Sequence, residues 1–370
     1  MRLTAIKSQI IAFVLLPYML DIDEWEASYL RGEVPDKSPY GYHYAENSAC
    51  LVRFSKSLAD RFTVFRLLRS ATQKLLGFDF LHAWQQRDEI FSSDVVWTHT
   101  EKEHLAVELL FIFIRRQRPK LIAQSVWLFD NWRQYFWLRK VFYKALLRQA
   151  SILTVHSPEN QTIAESLKLQ LECRVVKFGV SMEAFPLRQI IKTQFHNPIR
   201  VLTLGNDRDR DWYTFFDAIK DNPNFEIHVI SRNFPPELKS YNLSIYQGNL
   251  IKVKEFYNWA DVVVVPLKRN YHASGITVIL EAVSSGLPVI ASDTGGLKAY
   301  FEVGEVSYVE VGNSNALHDT LIQFGRDPDT CLLQTKMAQQ RLLHDGYTSR
   351  HFAILHRKIS YELLECHSCE

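Results

Sequence analysis

Apolar residues along this chain gather in short, β-branched runs separated by longer stretches of helical spacing. In the second half the runs are Ile199–Leu204, Phe225–Ser231, Leu243–Tyr246, Asp261–Pro266, Leu287–Ser292 and Val306–Val309. Each is continuous rather than alternating, the pattern of strands covered by helices on both faces. The first half repeats the rhythm more faintly, in Ile10–Leu16, Val52–Phe54, Asp94–Thr98, Leu121–Val126, Ser151–His156 and Cys173–Lys177. The pattern predicts an α/β chain of two tandem, doubly wound, Rossmann-like domains. A cleft is expected between them, because open α/β sheets bind ligands outside the carboxyl ends of their strands. Polar residues and two prolines between Pro186 and Pro198 mark the boundary, which assigns residues 1–190 to the first domain and 191–345 to the second.

The length of 370 residues suits two domains that each bury a core, and 13% aromatic residues exclude a disordered chain. Net charge is only +2, so nothing global calls for nucleic acid. The balance hides an asymmetry: residues 1–195 carry 26 basic and 20 acidic groups, the remainder 17 and 21, hence +6 and −4. The five cysteines are scattered, which points to a reducing, cytoplasmic compartment rather than a disulfide framework. Cys366 and Cys369 have the spacing of half a zinc site, but no second pair closes a tetrahedron. The apolar run Ile10–Leu16 has no small-residue cleavage site after it and passes into acidic Asp21, Asp23 and Glu24, so a buried first strand is expected there. The longest other apolar stretch, Leu109–Ile114, falls far short of the roughly 20 residues a membrane span needs.

The segment from His272 to Gly296 carries the most chemistry. It reads as a loop, a helix from about Gly275 to Ser285, a turn and a strand. Ser274, Gly275, Ile276 and Thr277 fall at the helix start, where free backbone amides and the macrodipole favour an anion and glycine admits a phosphate closely. Glu281 lies nearly two turns further in, where a carboxylate can accept hydrogen bonds from ribose hydroxyls. Upstream, the loop Gly205-Asn-Asp-Arg208-Asp-Arg210-Asp-Trp212 supplies arginines able to hold phosphate oxygens bidentately.

The segment from His272 to Gly296 resembles the donor-binding signature of GT-B glycosyltransferases, particularly family 4: Glu, seven residues, Glu-Ala, then Gly-x-Pro-Val-Ile before a strand and a Gly-Gly turn. Other blocks agree in family order. Asp94–His99 resembles the strand and histidine of the sugar site, Ala150–Ser157 the strand ending in serine, and Gly179–Phe185 the segment before the linker. The likeness spans roughly residues 90–312; the first 90 agree only in strand order. It implies the metal-independent GT-B architecture, no cofactor beyond a nucleotide diphosphate sugar as donor substrate, and a C-terminal helix over 346–370 packing back on the first domain. It implies transfer of a hexosyl group to a glycan or glycolipid hydroxyl, with retention of configuration. Two departures stand out. Ala273 occupies the position of the first glutamate, and the basic residues after the first strand of the second domain are displaced, so Gly205 and either Arg208 or Arg210 are assigned to the diphosphate. No metal is expected at Asp207, Asp209 and Asp211, since the arginines between them neutralise their charge.

In the first domain His99 ends a strand and is expected to hold a sugar hydroxyl. Asp130 either deprotonates an acceptor hydroxyl or caps a helix starting near Asn131. Tyr40, His43 and Glu46, in an aromatic and polar segment, are assigned to the acceptor. Ala273 also leaves open a degenerate, scaffold-like glycosyltransferase or a nucleotide-sugar epimerase. Residues 111–148 hold nine basic groups against one acid. A helix over Asn131–Ala150 would turn Arg133, Lys140, Lys144, Arg148 and Trp137 outward and Tyr135, Leu138, Phe142 and Leu146 to the core. The reading is peripheral attachment to anionic lipid on the inner face of the cell membrane.

Overall fold

A computed structural model of the chain describes residues 9–57, 63–189 and 194–365. The tail pair Cys366 and Cys369 and part of the linker stretch lie outside them. The strands are β1 (Ile10–Leu15), β2 (Cys50–Phe54), β3 (Val95–Thr98), β4 (Lys120–Ser125), β5 (Ile152–Val155) and β6 (Cys173–Val175). They continue as β7 (Ile199–Leu204), β8 (Phe225–Ile230), β9 (Leu243–Tyr246), β10 (Val262–Val265), β11 (Val289–Ser292) and β12 (Ser307–Val309). Every one falls on an apolar run named above.

They form two six-stranded sheets, ordered β2-β1-β3-β4-β5-β6 and β12-β11-β10-β7-β8-β9, and every pairing is parallel. The described residues divide into two compact units. The first takes the chain up to Leu30, then Lys37–Val176 and the helix from Arg350; the second takes Arg31–Asp36 and Lys177–Ser349.

In the second unit the alternation of β10 explains the continuous run of four valines. Val263 and Val265 pack with Ile279 and Val283 on one face, Val262 and Val264 with Phe215 and Leu321 on the other. Both faces of this strand are buried, so no position is left for a polar residue. Strand order reverses between β7 and β10 here, and between β1 and β3 in the first unit. Loops leaving the carboxyl ends of such neighbours diverge to opposite faces and leave a crevice. The loop after β7 starts at Gly205, the loop after β10 runs to Gly275, and the loop after β3 starts at His99.

The helix Ser349–Glu365 closes the first unit. Trp97 Nε1, on the fully buried β3, donates to Ser360 Oγ at 2.9 Å, and Arg357 donates to the carbonyl of Ala45 at 2.9 Å. Each bond satisfies a polar group that burial would otherwise leave costly. Cys50, Cys173 and Cys331 are buried free thiols. Among the described residues no helix is long and apolar enough to cross a membrane.

The helix expected over Asn131–Ala150 is not continuous. A 3-10 turn at Trp132–Gln134 is followed by an extended break at Tyr135 and Phe136, and the α-helix spans Trp137–Leu147. Trp132 is buried beside Phe129, and Tyr135 meets both Trp132 and Tyr143 edge-on. This aromatic packing overrides helix propensity, which is a weak preference by comparison. Arg133 therefore lies outside the helix, and Leu138, expected in the core, is exposed. Asp130 caps no helix: the 3-10 turn starts from Asn131 and the α-helix from Phe136.

The helix Thr63–Leu76 is anchored by Arg69, whose Nη1 lies 2.6 Å from Asp79 Oδ2 with both side chains largely buried. Asp79→Ala would leave the guanidinium buried beside Tyr18 and Gln85 without its carboxylate. Loss of about 3 kcal/mol is expected in denaturant unfolding of the first unit, whereas a solvated pair would cost under about 1 kcal/mol.

Candidate functional site

The loop after β7 turns at Gly205 with φ of 138° and runs to Asp211, which caps the helix Trp212–Ile219 through Thr214. It lies along the loop after β10: the amide of Lys268 donates to Asp209 O and that of Asp211 to Pro266 O. Arg210 points inward between the two loops and is only 4% exposed. Its Nε and Nη1 are buried and have no hydrogen-bond partner. A Cβ at Gly205 would collide with the guanidinium, and a Cβ at Gly275 would come within 2.7 Å of Nη1. Gly275 also has φ of 78°, so both glycines are demanded by backbone conformation and by the arginine threaded past them.

Burial pulls the Arg210 pKa down to about 10, with Asp207, Tyr257 and Asp209 opposing the fall, so the group is a cation at neutral pH. Asp207 accepts from Ser274 Oγ at 2.9 Å and from the amide of Asp209 at 3.0 Å. Burial opposes its ionisation, but His272 and these donors hold the carboxyl well below the usual carboxylate range. His272 Nε2 lies 3.6 Å from Asp207 Oδ2 and 3.7 Å from Asp209 Oδ2. One ligand atom from each of the three lies within 4.8 Å of the others, a set of the right chemistry for a divalent cation. The same carboxylates are the nearest counter-charges of Arg210.

The helix Ile276–Ser284 opens at Gly275 without a side-chain cap, and the first-turn amides of Thr277 and Val278 have no acceptor among the described residues. Those amides and the buried guanidinium together make an anion site. Ile276 is buried and Thr277 exposed. Glu281 is partly buried on this helix, and Tyr257 OH donates to its Oε2 at 2.8 Å. Burial pushes its carboxyl up to about 7 against that bond. Ala273 is buried. Arg208, the other arginine candidate, is exposed, with its Nε 3.7 Å from Asp209 Oδ2. Of the pair, only Arg210 enters the crevice.

In the first unit His99 is 7% exposed at the end of β3. Its ring stacks on Tyr40 with centroids 3.2 Å apart, and its Nδ1 lies 3.3 Å from Tyr42 OH. Burial, with His156 and His356 nearby, holds its pKa well below the usual value, so it is a neutral imidazole. Tyr40 reaches this position only in a left-handed conformation, φ 60°. His43 instead pairs with Ser38, at 3.0 Å, and Glu46 is exposed at the end of the turn Pro39–Ala45. Asp130 is partly exposed in the turn after β4. The loops after β3 and β4 are tied by a buried network. Thr100 and Glu103 form a capping box, Glu101 Oε2 accepts from the amides of Val126 and Trp127, and His104 bridges Glu108 and Ser125.

The sequence holds no local signal for Tyr257 or His356, which meet Glu281 and His99 only in the folded chain, whereas His272 and His156 stand inside the motif segments described above but with no role assigned to them there.

Residues 212–327 match the family model described as glycosyl transferases group 1. No curated protein matches the chain in sequence. Among solved structures, HepE of Anabaena, in complex with UDP and glucose, superposes with a TM-score of 0.68 at 13% identity, covering 96% of this chain and 99% of that one. Sucrose-phosphate synthase from Thermosynechococcus elongatus gives 0.68 at 16% identity, covering 97% and 100%. The N-terminal domain of Candida albicans trehalose-6-phosphate phosphatase gives 0.63 at 13% identity, covering 97% of each. The chain has the two-sheet GT-B fold, and its second unit carries a glycosyltransferase domain.

Because Glu281 titrates near 7 in the folded chain, it keeps a proton that the unfolded chain releases near pH 4 to 5. Its burial is therefore free of charge cost below that range and increasingly destabilising as pH rises to about 7. Glu281→Gln is expected to stabilise the second unit by about 1 to 2 kcal/mol at pH 8, where partial exposure softens the cost of the buried charge, and by little at pH 4.5. Denaturant unfolding at the two pH values checks this; an equal effect at both would contradict it.

Proposed function

We propose that the chain transfers a hexosyl group from a nucleotide diphosphate sugar to a hydroxyl of a glycan or lipid-linked acceptor, in polysaccharide or glycoconjugate synthesis. It works as a peripheral protein on the cytoplasmic face of the membrane. The observation that carries this reading is Arg210, a buried cation with two unsatisfied nitrogens beside a helix start where the amides of Thr277 and Val278 have no acceptor among the described residues. A dianionic diphosphate supplies what that site lacks.

In the reaction the bond between the anomeric carbon and the β-phosphate oxygen breaks, and negative charge grows on the departing diphosphate. Arg210 and the first-turn amides of Thr277 and Val278 stabilise that charge in place, without reorganising at the moment of reaction. Glu281 accepts the ribose hydroxyls. Ionisation strengthens that contact, so donor affinity should rise with pH through about 7. The acceptor oxygen bonds to the anomeric carbon, and in the retaining course assigned here its proton passes to an oxygen of the departing phosphate. In the first unit the neutral His99 accepts from or donates to a sugar hydroxyl, Tyr40 supplies an aromatic face for the acceptor, and Asp130 is the base an inverting course would use.

Titration calorimetry with UDP and UDP-glucose as probes tests the assignment. Arg210→Ala should weaken UDP binding by about 10- to 100-fold, the loss for a charged hydrogen-bonding partner, and Arg208→Ala by less. Equal effects of the two, or none, would remove Arg210 from the site.

Donor turnover should survive EDTA, because the diphosphate charge is assigned to Arg210 and backbone amides rather than to a metal. Loss on chelation with rescue by magnesium would instead make Asp207, Asp209 and His272 metal ligands. UDP binding without any donor turnover would favour a non-catalytic scaffold, the reading that Ala273 supports.

A further inference from the structure

We infer that the helix Thr63–Leu76 and the outer face of the helix Trp137–Leu147 form one surface that docks on an anionic lipid bilayer. The inference rests on the peripheral-membrane part of the reading above and names the surface that performs it. At about 100° per residue, Val64, Leu67, Leu68, Ala71 and Leu75 fall within an arc of roughly 100° on the first helix. A surface helix ordinarily turns such a stripe to the core. Here it faces outward: Leu67 is 64% and Leu75 75% exposed. The side turned to the protein is held by a polar anchor instead, the ion pair of Arg69 with Asp79. A helix tethered by its charge with its apolar stripe in solvent lacks a partner for that stripe.

The second helix continues the surface. Phe136, Trp137, Leu138 and Val141 are each more than half exposed. The two helices adjoin, since Arg139 donates to the carbonyl of Leu75 at 3.0 Å and Tyr143 to that of Leu76 at 2.7 Å. A cavity of about 530 Å³ opens along this seam, lined by Leu75, Leu76, Tyr135, Phe136, Leu138 and Phe142 among others.

Charge selects the occupant. Residues 63–77 hold three Lys and Arg and residues 131–150 hold five, with no Asp or Glu in either stretch. Of these eight, only Arg69 forms an ion pair among the described residues. A second copy meeting this face by two-fold symmetry would oppose cations to cations with no acid to neutralise them. An anionic bilayer takes both features at once: the apolar stripes enter the acyl boundary while the lysines and arginines remain at headgroup level.

Flotation of the full chain with vesicles, without nucleotide sugar, tests the surface. Binding is expected to vesicles of mixed phosphatidylcholine and phosphatidylglycerol, not to phosphatidylcholine alone, and to weaken as ionic strength rises. Lys74→Gln, Lys140→Gln and Lys144→Gln combined should lower the partition coefficient about hundredfold, given the attraction each cation near the membrane contributes. Leu67→Gln, Leu75→Gln and Trp137→Gln combined should lower it at least tenfold. All six side chains lie on the surface, and unchanged circular dichroism and UDP affinity of the variants verify folding. A wild-type chain that ignores anionic vesicles at low salt overturns the inference. So does one that forms a dimer which the apolar variant disperses, because a second copy would then cover the face. UDP binding is measured separately, so failure of the donor reading leaves the vesicle result standing on its own.

Discussion

The second unit is organised around one buried cation. A guanidinium out of water must be offset by counter-charge and hydrogen bonds, and the surroundings of Arg210 supply the first more fully than the second. Asp207 and Asp209 bring negative charge from the same loop, while Nε and Nη1 are left without acceptors. The two glycines that flank the arginine follow from its size, since neither position admits a side chain with the guanidinium in place. His272 and Ser274 then fix Asp207 as a carboxylate, so the negative partner cannot be neutralised at ordinary pH. Two glycines, one from each loop, and two acids of the first loop thus surround one incompletely bonded arginine, the arrangement on which the proposed diphosphate site rests. The reversal of strand order between β7 and β10 is what brings these two loops side by side.

The first unit solves a different problem. At the carboxyl end of β3, on the helix that follows it and on the C-terminal helix, desolvation disfavours the charged form of several buried groups. His99 and His356 are driven below their usual range, His356 to about 4, and Glu103 is pushed up to about 7. Neutral imidazoles and hydroxyls recognise other hydroxyls without demanding a counter-ion, which suits a sugar better than a phosphate. The candidate residues of the two units therefore differ in electrostatics, fixed charge around Arg210 in the second and neutral hydrogen-bonding groups around His99 in the first.

The charge asymmetry of the chain has a location in the fold. Much of the basic excess of the first half lies on the helices Thr63–Leu76 and Trp137–Leu147, the same helices that carry the exposed apolar residues. A contiguous exposed apolar patch is costly to leave in water and commonly marks an interaction site. Neither of these helices supplies His99, Tyr40 or Asp130, so the proposed docking surface and the proposed acceptor contacts use separate residues.

The strands were legible because burial on both faces writes itself as unbroken β-branched runs, and all twelve lie where those runs stand. The start of the helix at Ile276 was legible for a related reason: glycine, a polar residue before it and an apolar period after it are local signals. Which arginine turns inward was not, because Arg208 and Arg210 are equivalent as sequence, and only the loop after β10 decides which one meets Gly275. Tyr257 and His272 joined the site through contacts across 24 positions and across 63 and 65 positions, which no local period encodes. The break at Tyr135 and Phe136 and the outward stripe of Val64, Leu67 and Leu75 share one cause. Periodicity tells which residues lie on the same side of a helix, but which side meets the core is settled by competing neighbours, here a cluster of aromatic rings and the buried pair of Arg69 and Asp79, and those neighbours exist only once the chain has folded.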